Sequence, residues 1–350
     1  MIRMFAKLRC IAAAVAVAIL AGCATPEKVA RLVLTPPNVQ RAARSSQWAD
    51  QWLRALCGGT NRFKSIDIPV GPPQANLKAL ELVPGDYQLD FTSAVENDGH
   101  GGKVFSVKAV PRTNVPPVSV PERGTVLLLH GYSVQKETMA PWAFVLAQAG
   151  FRVILIDLRG HGQSTGKMFS CGKYETADLI QALDYLNAKG IGNGQVGVLG
   201  ISFGAALALQ WSARDPRVAA VVAIAAYDRP EEALVRFAQE MKIPVSPKLL
   251  DQALALVAAQ LDLSWSDWSG QAALHHMTRP VFLIGGGKDS ISPPEDLEAL
   301  KAAAPAGTKT LLIPDANHFV VGYWFQDIAD PVKDWFEEKL GSEARMTNNE

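Results

Sequence analysis

Val196-Gly-Val-Leu-Gly-Ile-Ser-Phe-Gly204 opens as an apolar run, turns at Gly200 and sets Ser202 between two glycines, each two residues away. An alanine- and leucine-rich segment, residues 205–212, follows. The pattern is strand, tight turn, helix, with a serine at the apex. A turn that sharp crowds backbone against the flanking positions, which leaves room there for glycine alone. It also lifts the Ser202 hydroxyl above the end of the sheet, where the first N–H groups of the helix point. A serine that merely caps the helix fits the same nine residues. The choice between nucleophile and cap therefore rests on the rest of the chain.

Outward from the elbow, apolar runs alternate with helical patterns. Residues 125–129, 152–156, 196–199, 218–225, 281–284 and 310–313 read as strands buried on both faces. Residues 140–149, 174–189, 205–213, 294–303 and 331–340 read as the helices between and after them. That alternation demands a mostly parallel, doubly wound α/β sheet, with ligands beyond the carboxyl ends of its strands. Residues 77–84, 87–95 and 103–110 lie between turn signals and are expected as edge strands preceding the main sheet. One interruption, residues 227–276, is too long for a simple connection. It holds helical patterns at 231–241 and 248–261, then Trp265 and Trp268, and is expected to cap the carboxyl edge. A pair of surface helices that close nothing is the alternative.

The 350 residues carry 34 Lys and Arg against 34 Asp and Glu, which gives no basic surplus for a nucleic-acid partner. At 48 % hydrophobic, the chain has ample material for one large domain, expected over residues 38–350. The N-terminus is different. Arg3, Lys7 and Arg9 precede a short apolar stretch, residues 11–20, and Leu20-Ala21-Gly22-Cys23 closes it. These four residues resemble the bacterial lipobox. That resemblance implies a signal peptide over residues 1–22, lipidation of Cys23 and a mature chain of 350 − 22 = 328 residues held on a membrane. With Ala24 after the cysteine, the periplasmic face of the outer membrane is the expected site. An ordinary secretory signal with an incidental Cys23 is the alternative. Residues 24–37, with Pro26, Pro36 and Pro37, are expected to form a tether, and residues 40–57 a short amphipathic helix. Cys57 and Cys171 remain, and an oxidising compartment leaves their pairing open.

A serine hydroxyl needs a base to take its proton, and the base needs a partner to orient it. Asp289 follows the strand at 281–284 and His318 follows the strand at 310–313. Serine, then Asp, then His, at successive strand ends, is the chain order of a triad on this architecture. Asp315 is the runner-up acid, only three residues before His318. His275 and His276 have no carboxylate or cysteine at ligand spacing, and Gly285–Gly287 lacks dinucleotide-site spacing, so neither a metal nor a cofactor is implied.

With these motifs the chain resembles the α/β-hydrolase superfamily over most of residues 124–340. The resemblance rests on His130-Gly131, on Asp157-Leu-Arg-Gly-His-Gly-Gln-Ser164, on Gly200-Ile-Ser202-Phe-Gly204, and on Asp289 and His318. It implies Ser202 as nucleophile, His318 as general base and then acid, Asp289 as its partner, and backbone N–H groups of Tyr132 and Phe203 as the oxyanion hole. His130, His161 and the stretch around Asp157 are expected to order loops. Serine at the elbow, where family members that act on haloalkanes or epoxides use Asp, leaves acyl transfer to water. The expected activity is hydrolysis of a small-molecule ester or thioester. A peptidase or amidase of the same fold, and a non-catalytic envelope binding protein, are the alternatives.

Overall fold

The computed structural model describes residues 25–36, 53, 62–97, 103–113, 116, 118–192 and 195–340. Residues 1–24, with the expected signal peptide and Cys23, lie outside them, as do Cys57 and most of the expected helix at 40–57.

The strands are β1 (Lys64–Val70), β2 (Ala75–Leu82), β3 (Leu89–Asn97), β4 (Lys103–Pro111), β5 (Gly124–Leu129), β6 (Phe151–Ile156), β7 (Val196–Ile201), β8 (Val218–Ile224), β9 (Phe282–Gly286) and β10 (Lys309–Ile313). Eight of them form one sheet in the order β1-β2-β6-β5-β7-β8-β9-β10. The pairs β1–β2 and β2–β6 are antiparallel, and every pair from β6 to β10 is parallel. Parallel strands need crossovers, and helices supply them: α2 (Ala140–Gln148), α3 (Lys173–Ala188), α4 (Phe203–Ser212) and α8 (Pro294–Ala303) lie between successive strands, and α9 (Phe325–Leu340) follows β10.

The core is two apolar layers, one on each face of the sheet. Side chains alternate along a strand, so Val126 and Leu128 face one layer, and Leu127 and Leu129 the other. The first layer is completed by α2 and α9, with Trp142 and Trp335 fully buried. The second is completed by α3, α4 and α8, with Trp211 fully buried. Each strand from β5 to β8 is therefore covered on both sides, which is why those strands read as unbroken apolar runs.

Residues 227–276 contribute α5 (Pro230–Glu240), α6 (Pro247–Leu261), a 3-10 turn at Trp265–Trp268 and α7 (Gly270–His275). The helix α5 is tied to the loops at the carboxyl edge. Arg236 donates to the Ile291 carbonyl and to Asp296, and Ser290 donates to Glu240.

The structure departs from the sequence expectations at four points. First, residues 26–34 are not a tether but a helix, α1 (Pro26–Leu34), packed on α6. Thr25 caps it by accepting from the Lys28 N–H, Pro26 occupies its first turn, and Val29, Ala30 and Leu34 form its buried side. The prolines that suggested a spacer are here a helix start and a helix stop. The segment also reaches the core: the Phe169 N–H donates to the Leu34 carbonyl at 2.9 Å. Second, β3 and β4 form a separate two-stranded sheet instead of edge strands of the main one. Third, β1, paired along its whole length with β2, lies outside every strand expected from the sequence. Fourth, α9 begins at Phe325 and runs through Pro331. Its buried stripe of Phe325, Ile328, Val332, Trp335 and Phe336 is continuous across the proline, and this packing outweighs one missing backbone bond.

Candidate active site

The elbow residue Ser202 has φ 55° and ψ −115°, a conformation that costs a non-glycine residue about 1–3 kcal/mol. The surroundings hold it there. The Ser202 N–H donates to the Ile224 carbonyl at 2.8 Å, which pins the turn to β8. A Cβ on Gly200 would stand 2.1 Å from the Gly204 carbonyl oxygen, and one on Gly204 would stand 2.2 Å from the Leu129 carbonyl oxygen. Both glycines are thus required by close backbone approach, as the turn's sharpness implied.

His318 follows β10 and Asp289 follows β9, and the parallel pairing of those strands brings the two loops together. Both Asp289 oxygens accept from His318 Nδ1, at 2.8 and 3.0 Å. A carboxylate can only accept, so the imidazole proton sits on Nδ1 and Nε2 is left as an acceptor. The Ser202 hydroxyl lies 2.7 Å from that Nε2. Asp289 Oδ1 also accepts from the N–H groups of Ile291 and Ser292, which fixes the carboxylate in the plane the histidine needs. Asp289 and His318 are buried, so water competes little for either bond. Asp315, the other acid weighed from the sequence, is exposed and paired at 2.6 Å with Lys288.

Phe203 opens α4, whose first N–H groups have no acceptor within the helix. Gly131 lies against the elbow: a Cβ built on it would be 3.6 Å from Ser202 Cβ. The next residue, Tyr132, is therefore carried alongside the serine. Its ring meets Phe169 at 5.0 Å, His161 at 5.8 Å and, from the cap helix α5, Phe237 at 5.8 Å between centroids. The Phe203 ring lies under the same group, 5.1 Å from Phe169.

The parallel sheet, the strained serine after β7, and the acid and histidine loops after β9 and β10 decide the architecture. The fold is that of the α/β hydrolases. Residues 124–262 match the family model described as the alpha/beta hydrolase fold. An esterase from Pyrococcus furiosus superposes with a TM-score of 0.58 at 17 % identity, over 80 % of this chain and 92 % of that one. Among curated proteins, an uncharacterised 31.7 kDa Escherichia coli protein from the traX-finO intergenic region is 24 % identical over 61 % of this chain and 91 % of its own length. The thiohydrolase aneE of Aspergillus aculeatus is 27 % identical over 39 % of this chain and 42 % of its own.

On this α/β-hydrolase frame, His130 and His161 are built into loops. His130 Nδ1 donates to the Gly131 carbonyl and its Nε2 accepts from the Leu158 N–H at 3.0 Å. His161 Nδ1 donates to the Arg159 carbonyl at 2.9 Å. Two groups near the site escaped the sequence reading. Phe237 gave no signal beyond a helical apolar position. Lys136, five residues after Gly131, is a lysine with 2 % exposure and lies against Asp157 at 2.8 Å. Its signal was available, since Lys136-Glu137 follows the His-Gly pair directly before a strongly apolar helix.

Proposed function

We propose that this protein is a serine hydrolase that cleaves an ester or thioester of a small apolar acyl compound through an acyl-enzyme on Ser202. The observation that carries the reading is the unbroken hydrogen-bonded chain from Ser202 through His318 to Asp289. In it, His318 Nε2 takes the hydroxyl proton as Ser202 Oγ attacks the carbonyl carbon. Asp289 holds the ring in the tautomer that can do so and stabilises the imidazolium that forms. The N–H groups of Tyr132 and Phe203 receive the developing oxyanion, and each such donor is worth about 3 kcal/mol. His318 then returns its proton to the leaving oxygen or sulfur. In the second half it activates water, which attacks the acyl-serine and frees the acid. The esterase and thiohydrolase names among the similar proteins support an acyl ester or thioester as substrate. The aromatic wall of Tyr132, Phe169 and Phe237 suits an apolar group beside the reacting carbon. In the same reading Cys23 carries the lipid anchor, on the periplasmic face of a bacterial outer membrane, and the enzyme works at that surface.

The test is fluorophosphonate labelling of a soluble form that lacks residues 1–23, run beside Ser202→Ala, with p-nitrophenyl esters of increasing chain length assayed on both. Labelling and turnover that vanish together in the variant, with the fold unchanged by circular dichroism, are expected. Turnover retained by Ser202→Ala overturns the assignment.

A further inference from the structure

The loop that carries the Tyr132 N–H is held by a buried ion pair that the hydrolytic steps do not use. We infer that Asp157 and Lys136 are positioning residues that fix this loop for oxyanion binding, an inference that rests on the function proposed above.

Asp157 follows β6 directly and is fully buried. Its oxygens accept three hydrogen bonds. Oδ1 takes the Lys136 backbone N–H at 2.7 Å, and Oδ2 takes Lys136 Nζ and the Gln163 N–H, both at 2.8 Å. At the other end of the loop, the Leu158 N–H donates to His130 Nε2 at 3.0 Å. The five residues between His130 and Lys136 are thus clamped at both ends to consecutive residues, Asp157 and Leu158. Tyr132 is the second of the five, and the third, Ser133, has φ 62° in the left-handed region. A residue other than glycine keeps that conformation only where its surroundings over-determine it. The clamp supplies that determination.

The clamp is also closely fitted. A Cβ on Gly162 would stand 2.3 Å from the Asp157 carboxylate, so the loop behind the acid leaves no room for it to shift. Lys136 Nζ spans the cluster, with Glu137 at 2.9 Å and the Gln163 side-chain oxygen at 3.3 Å besides Asp157. Burial alone would lower the Lys136 pKa, but the Asp157 and Glu137 carboxylates outweigh it and hold the ammonium above its ordinary value. Burial, then the Asp157 charge, pushes the Glu137 carboxyl up.

Lys136→Met keeps an unbranched side chain one atom shorter and removes its charge. The double variant Lys136→Met/Asp157→Asn also removes the Asp157 charge that the single variant would leave buried without its lysine, and so guards against a simple folding failure. Each is compared with wild type in two ways. Hydrogen exchange by mass spectrometry reads the peptide covering 130–136, with the β5 peptide as internal reference. The ratio of kcat/KM for an ester and its thionoester, whose sulfur fits an oxyanion hole poorly, reads the hole itself. The expected result is amide exchange at least tenfold faster in 130–136 with β5 unchanged. With it, the ester-to-thionoester ratio falls at least tenfold and KM changes less than threefold. A merely structural role lowers both substrates in proportion and leaves the ratio intact, which overturns the inference. Unchanged exchange in the loop also overturns it, and that readout needs no turnover. If wild type hydrolyses neither substrate, the proposed function fails on its own evidence, and with it the inferred catalytic purpose of the clamp.

Discussion

Replacing Gly204 with alanine tests whether close backbone approach at the elbow sets the reacting geometry. The added Cβ would lie 2.2 Å from the Leu129 carbonyl oxygen and 2.7 Å from that of His130. An ordinary carbon–oxygen contact is about 3.4 Å, so the start of α4 and the end of β5 must part by about 1 Å. Neither yields at little cost. Leu129 is fully buried in the middle of the sheet, and the elbow is bonded to β8. Overpacking of this kind costs about 1–3 kcal/mol of stability. The larger effect is on rate. The Phe203 N–H sits on one side of the contact and the His130–Gln135 loop on the other, so prying them apart separates the two proposed oxyanion donors. A misplacement of about 1 Å costs on the order of 100-fold. Gly204→Ala is therefore expected to fold, to lose about 1–3 kcal/mol in urea unfolding, and to drop kcat for a p-nitrophenyl ester about 100-fold, with KM shifted less than threefold. Gly190→Ala is the control. It has φ 73° with nothing within 4 Å of an added Cβ, so it costs about 1–2 kcal/mol of backbone strain and leaves kcat alone. A Gly204→Ala enzyme with wild-type kcat would refute the reasoning.

Asp289→Asn is expected to lower kcat roughly ten-thousandfold by reversing the tautomer of His318, whereas Asp315→Asn, which loses only the exposed pair with Lys288, is expected to leave it unchanged; ester turnover decides between the two acids. Burial lifts the Asp178 carboxyl to about 6, although Arg159 donates to it twice. Between about pH 6 and pH 4 the folded chain then holds a proton that the unfolded chain does not, so this group makes unfolding costlier as pH falls, by up to about 3 kcal/mol. Urea unfolding at about pH 4.5 and pH 7 should show that slope in wild type and its loss in Asp178→Asn. A double substitution of the buried side of α1, Val29→Asp with Leu34→Asp, is expected to free the helix from α6 and let it unfold, so that trypsin cuts faster after the already exposed Arg31; cleavage there at the wild-type rate would show that the helix is not held by that face.

The sequence made the parallel part of the sheet legible because its strands are covered on both faces, and burial on both faces writes itself as unbroken apolar runs such as 125–129. The elbow and the two later loops were legible for a different reason: a serine between glycines, an acid and a histidine each stand one short loop past such a run. The antiparallel flank was harder. β1, reading Lys-Ser-Ile-Asp-Ile-Pro-Val, has one exposed face and a proline, so its alternation is faint and it was passed over. Whether β3 and β4 joined the main sheet was a matter of long-range pairing, which local pattern does not encode. α1 was misread because Pro26 and Pro36 dominate a short segment, although Thr25-Pro26-Glu27 is itself a helix-start signature. Lys136 was missed because its meaning lies in Asp157, 21 residues away, and becomes visible only when β5 and β6 stand side by side.

The packing of α1 on α6 joins distant parts of the chain. Its last residue is Leu34 and its partner begins at Pro247, a separation of 247 − 34 = 213 residues. Contacts that distant in sequence form late, because the loop they close must be ordered before they can reward it. The helix enters the folding chain 213 residues ahead of its partner and must wait, apolar side exposed, until α6 has followed. The α1–α6 contact is therefore expected to be a closing step of folding, and the exposed apolar side of α1 is a natural landing place for a chaperone in the interval.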